Sequence, residues 1–126
     1  MNAMTDQPSC TFDPWELLGR CLGKPELAAR VLQRFERQLA EDLLRLEAAI
    51  GVQDYATAGG LAHRIKGAAA NVAAHGIHEQ AGQLETVLRM RMDEQLSATW
   101  QSLLAERDRF EESVQSTSLL SLQAAR

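Results

Sequence analysis

Apolar residues recur every three or four positions through most of the chain, the spacing of helices that bury one face. From Pro25 to Ile50 the stripe is Leu27, Val31, Phe35, Leu39, Leu43, Leu46 and Ile50. Glu36, Arg37, Glu41, Arg45 and Glu47 lie opposite, so one long helix is predicted, closed by Gly51. Asp54 is placed to cap a second helix, Tyr55 to Ala74, with a turn at His75-Gly76. A third, from Ile77 to about Arg91, buries Ile77, Ala81, Leu84 and Leu88. A fourth runs from near Asp93 to Val114 on Leu96, Trp100, Leu103, Phe110 and Val114. Arg107 falls on that last stripe and must either snorkel to water or find an acid. Ahead of these, Phe12 to Leu22 reads as a short helix with Asp13 at its cap and Pro14 at its first position. The pattern predicts an all-α fold: an antiparallel four-helix bundle with a short additional N-terminal helix capping one end. The domain is expected over residues 12–115, between a flexible N-terminus (1–11) and a frayed tail (116–126).

Composition agrees and narrows the function. The 126 residues include 19 Ala and 18 Leu but only three Pro, which favours helices over a β-sandwich. That length holds one domain with its own core. A net charge of −4 argues against a nucleic-acid binder that works by neutralising phosphates. No apolar run approaches the roughly 18 residues of a membrane span. Cys10 and Cys21 form no Cys-x-x-Cys pair and read as reduced thiols of a cytoplasmic protein. The first residues have no signal-peptide character, and Met4 is a second candidate start.

The predicted helix from Tyr55 carries the chemistry. At about 100° per residue, Ala58, Leu61, Ala62, Ile65, Ala69 and Val72 share one face. Gly59, His63, Lys66, Gly67 and Ala70 lie on the other, so His63 is expected to be exposed. Each interior glycine costs a helix about 1 kcal/mol relative to alanine. Gly59 and Gly60 are compatible with a later start, at Leu61; Gly67 is not. One turn beyond His63, Gly67 would clear an approach to the ring, and Lys66 at i+3 would hold an anion attached to it. An exposed imidazole, a cation and a cleared approach are the parts needed to accept a phosphoryl group. Across the turn, Glu85 and Arg89 come within about one helical turn of the level of His63. Glu85 could accept a hydrogen bond from the ring and fix its tautomer; Arg89 could add positive charge near the phosphoryl oxygens. An isolated exposed His or Lys is most often a solvated surface residue, and Gly67 is what that reading explains least. His75 and His78, three apart, fit a polar helix start better than a metal pair.

The segment Leu61-Ala62-His63-Arg64-Ile65-Lys66-Gly67-Ala68-Ala69-Ala70-Asn71-Val72 resembles the signature A-H-x-L-K-G-x-A-x-N-L-G-A of histidine phosphotransfer (HPt) domains. Ala81, Leu84 and Glu85 match the downstream A-x-x-L-E, and the run around Pro25 to Phe35 resembles the long second helix, so the likeness covers about Phe12 to Glu85. The final helix is alike in length and character. Two positions depart: Ala73 stands where the family often has Gly, and Ile65 where it has Leu. The first should affect the turn more than the chemistry.

The resemblance implies a phosphorelay carrier without kinase activity of its own. His63 would be the phosphoacceptor, Lys66 would stabilise the phosphoryl group, Gly67 would admit the partner's active site, and Glu85 would hold the imidazole. The implied partners are response-regulator receiver domains and a hybrid sensor histidine kinase. No cofactor is expected in this chain, with magnesium supplied by the receiver, and the domain is expected to be a monomer. The alternatives are the phosphoacceptor domain of a chemotaxis-type kinase and a helical adaptor that is never phosphorylated. A metal or haem bundle is disfavoured, because there is no Glu-x-x-His pair and no Cys-x-x-Cys-His.

Overall fold

A computed structural model describes residues 11–117. Among them are five helices and no strand: α1 (Pro14–Arg20), α2 (Pro25–Gly51), α3 (Tyr55–Asn71), α4 (His75–Arg89) and α5 (Asp93–Gln115). Helices α2 to α5 are joined by three-residue turns and pack side by side, an all-α antiparallel bundle. The Phe110 ring of α5 meets the Phe35 ring of α2 edge to face at 5.4 Å. Phe12 meets Phe110 edge to face at the same centroid distance, so three rings tie the first described residues, α2 and α5 into one core.

Two of the five helix starts carry a side-chain cap. Asp13 accepts the Glu16 N–H at 3.1 Å, with Pro14 at the first position of α1. Asp54 does the same for Thr57 at 3.2 Å, so α3 starts at Tyr55 and Gly59 and Gly60 lie inside it. That hydrogen bond also holds the Asp54 carboxyl below its ordinary range.

All four connections share one turn, with residues in the left-handed region: Leu22 (φ 59°), Gln53 (φ 62°), Ala73 (φ 60°) and Arg91 (φ 55°). The next N–H returns to the fifth carbonyl back: Gly23 to Leu18, Asp54 to Ala49, Ala74 to Ala69 and Met92 to Val87, at 2.8–3.0 Å. This is the Schellman turn, whose left-handed residue is usually glycine. The expected turn at His75-Gly76 is therefore corrected: α3 ends at Asn71, and His75 and Gly76 already belong to α4. Gly76 serves packing, since a Cβ there would overlap the Glu106 carboxylate of α5. Gly51 likewise ends up as the last helical residue of α2, not its stop.

Gln53 is exposed, so Gln53→Gly removes the left-handed penalty without losing core contact. We expect a gain of about 1 kcal/mol in chemical denaturation. Ala73→Gly should gain less, because the Ala73 methyl is buried.

The stripe of α2 also needs correction. Leu27, Val31 and Ile50 are half-buried, while Ala28, Leu32 and Ala49 are buried with Phe35, Leu39, Leu43 and Leu46. Bulky residues one position away imitate the phase of small ones that sit deeper. On α5 only Leu103 and Phe110 are buried; Leu96, Trp100 and Val114 pack at its margin. Arg107 pairs with Asp108 at 2.8 Å and stays half-buried beside Glu36 and Glu111. Burial and the nearby Glu111 push the Glu36 carboxyl up. The folded state thus binds this proton more readily than the unfolded chain, and stability is lost as pH rises through that range. Glu36→Gln should therefore stabilise by up to about 0.5 kcal/mol at neutral pH, and the gain should vanish near pH 4 when thermal unfolding is followed at both values.

Residue 11 is not loose. Thr11 donates its hydroxyl to Glu106 at 3.0 Å and accepts the Gly76 N–H at 3.3 Å. Asp13 N–H reaches the Ala73 carbonyl at 3.0 Å, so α1 closes the end of the bundle where α3 turns into α4. The expected flexible segment 1–10, with Cys10, and the tail 118–126 lie outside the described residues. Cys21 is buried as a free thiol. No described helix is long and apolar enough to cross a membrane.

Candidate functional site

Helix α3 buries Ala58, Ala62, Ile65 and Ala69, which turns His63 outward with 66% of its side chain exposed. Leu61, expected in that stripe, is half-buried. Gly59, expected on the open face, is buried, whereas Gly60 and Gly67 are exposed. A Cβ on Gly67 would meet no atom within 4 Å. A single methyl would therefore not crowd the imidazole; only a longer side chain would occupy the approach.

Helix α4 runs back alongside and brings Glu85 under the ring. Its side chain is 9% exposed, and its Oε2 lies 3.0 Å from His63 Nδ1. A carboxylate can only accept, so Nδ1 carries the proton and Nε2 keeps its lone pair in the neutral ring. Among the described residues nothing hydrogen-bonds Nε2. Arg89, one turn along α4, reaches the same Oε2 at 2.7 Å. Lys66 approaches the other oxygen, Oε1, at 3.8 Å. One buried carboxylate thus collects an imidazole and two cations from two helices.

Three residues that the periodicity did not single out support these. Gly82 on α4 lets the Lys66 stem lie across it, its Cβ position 3.5 Å from Lys66 Cδ. His78 Nδ1 donates to the Lys66 carbonyl at 3.0 Å. Asp42, buried on α2, accepts from Gln38 at 3.1 Å and from Arg64 Nε at 3.2 Å, with a second, short contact to the same guanidinium. This bonding pushes the Arg64 guanidinium further up, so it is always charged. It locks α3 against α2 right beside His63. The sequence does carry a signal for Asp42: a lone acid at helical spacing between Leu39 and Leu46 on an apolar face.

His75 and His78 do not converge. His75 Nε2 donates to Glu16 at 2.8 Å, and His78 turns to α3. Hydrogen bonds from Arg20 and then His75 hold the Glu16 carboxyl below its ordinary range. Asp13, Glu16 and His75 are close enough together to be a ligand group, but capping of α1 and these two bonds account for all three.

The family model described as Hpt domain matches residues 30–117. The chain belongs to the Hpt domain family. The match runs from within α2 through the whole of α5, further than the motif-based likeness, and leaves α1 outside. Searches of curated proteins and of solved structures returned no match. Hpt domains are histidine phosphotransfer modules that work with receiver domains in phosphorelays. In this Hpt bundle His63 is exposed and paired with Glu85, the carboxylate that also collects Lys66 and Arg89.

Proposed function

We propose that this Hpt domain takes a phosphoryl group on Nε2 of His63 from the aspartyl phosphate of one receiver domain and passes it to the aspartate of another. The observation that carries this reading is the His63–Glu85 pair. Glu85 occupies Nδ1, which orients the ring and leaves Nε2 as the nucleophile on the solvent side. In the step, the Nε2 lone pair attacks phosphorus as the bond from phosphorus to the aspartate oxygen breaks. The aspartate leaves as a carboxylate, and the Nδ1 proton stays between the ring and Glu85. The transition state is loose, so the work is positioning and charge stabilisation. Lys66 is the near cation for the phosphoryl oxygens, because its 3.8 Å contact to Glu85 is long enough to give up. Gly60 and Gly67 keep the flanks of the ring low enough for a receiver face. In this reading the receiver brings magnesium, the kinase is a hybrid sensor histidine kinase, and exchange takes place in the cytoplasm on a monomeric carrier.

The test offers the domain two donors: receivers charged with acetyl phosphate, and a histidine kinase domain with labelled ATP. Rapid transfer from a charged receiver, reversed by adding uncharged receiver, is the expected result. Labelling by the kinase domain alone would replace the relay with the chemotaxis-type reading. No labelling from either donor would leave a helical adaptor.

A further inference from the structure

We propose that Arg89 is a positioning residue that keeps His63 unprotonated, acting through Glu85 and not on the phosphoryl group. The inference rests on the phosphoacceptor reading of His63. A carboxylate beside an imidazole has two opposite effects. It orients the ring, but it also favours the imidazolium, which has no lone pair on Nε2 and cannot attack. Glu85 is buried and touches Nδ1 directly, so its charge acts on the ring at contact distance although His63 itself is largely exposed.

The geometry resolves the conflict. Arg89 lies 2.7 Å from Oε2, the same oxygen that faces Nδ1 at 3.0 Å. Lys66 adds a second positive charge at Oε1. The charged groups facing the ring are Lys66 on its own helix and Glu85 and Arg89 on α4. On the α2 side, Arg64 is spent on Asp42. With neutral His63 the group Glu85, Lys66 and Arg89 sums to one net positive charge, and a proton on Nε2 would raise it to two. The neutral ring is therefore favoured while Glu85 still fixes the tautomer. Lys66 is loosely held and can follow the phosphoryl group. Arg89 is the fixed counter-charge: it sits at i+4 from Glu85, at the end of α4 where the helix dipole also favours a cation. In this proposal Arg89 acts through Glu85 instead of on the phosphoryl oxygens directly.

The test is the pH profile of His63 phosphorylation by phosphoramidate, a small donor that needs no receiver. Rates of Arg89→Gln and Arg89→Lys are divided by the wild-type rate at each pH. Arg89→Gln should be slowed up to about tenfold on the acid side of the profile, less at neutral pH, and return to the wild-type rate at alkaline pH, a displacement of about one pH unit. Arg89→Lys should restore most of the profile. The 15N signal of Nε2 should show a protonated ring in Arg89→Gln at a pH where the wild-type ring is neutral. A constant ratio at every pH, whether unity or reduced, would overturn the proposal, because a purely structural or docking role has no reason to vanish in alkali. Failure of receivers to donate, with this ratio still pH-dependent, would overturn the relay and not the role of Arg89.

Discussion

Replacing His63 by glutamine is expected to abolish phosphoryl uptake while leaving the bundle intact. The side chain is two-thirds exposed and contributes little to the core, and a glutamine amide can still donate to Glu85. Unfolding should therefore change by no more than about 0.5 kcal/mol. Labelling from a charged receiver should fall at least about 100-fold, to background, since the nucleophile itself is gone. The other two histidines give no bypass: His75 is bonded to Glu16 and His78 to the Lys66 carbonyl. Wild-type labelling of the variant would place the phosphoryl group elsewhere.

The largest effect on stability should come from Phe110→Ala. Phe110 is fully buried, and its ring takes the edge-to-face contacts of both Phe12 and Phe35. Truncation removes the transfer energy of the ring, both aromatic contacts and the filling between α2 and α5. A loss of about 3–5 kcal/mol is expected, or roughly 15 °C in Tm. Urea unfolding should show a lower midpoint at an unchanged slope. A loss under about 1 kcal/mol would mean that α5 is not held to α2 through this cluster.

Helix number, the all-α class and the exposure of His63 were legible because they depend on periodicity alone. Glu85 could be brought near His63 because a short turn and a fixed rise per residue leave little freedom between α3 and α4. The turn itself was misread for a physical reason. Glycine is the usual left-handed residue, so His75-Gly76 drew the boundary, yet the chain places Ala73 in that conformation and spends Gly76 on contact with α5. Ala28 and Ala49 were passed over for Leu27 and Ile50 because residue size masks phase. Asp42 was invisible to a search for apolar stripes, although its place on such a stripe is what buries its bond to Arg64. Arg89 could be placed near the site by counting residues, but only the geometry shows that it touches the oxygen facing His63.

The proposed function turns on Nε2 of His63 as the atom that takes the phosphoryl group. It is tested most directly by phosphorylating the domain with 15N-labelled histidine and correlating imidazole nitrogens with phosphorus by NMR. The account predicts one phosphorus coupled to Nε2 of His63, with Nδ1 still protonated towards Glu85. Coupling to Nδ1, or to a nitrogen of His75 or His78, would contradict it.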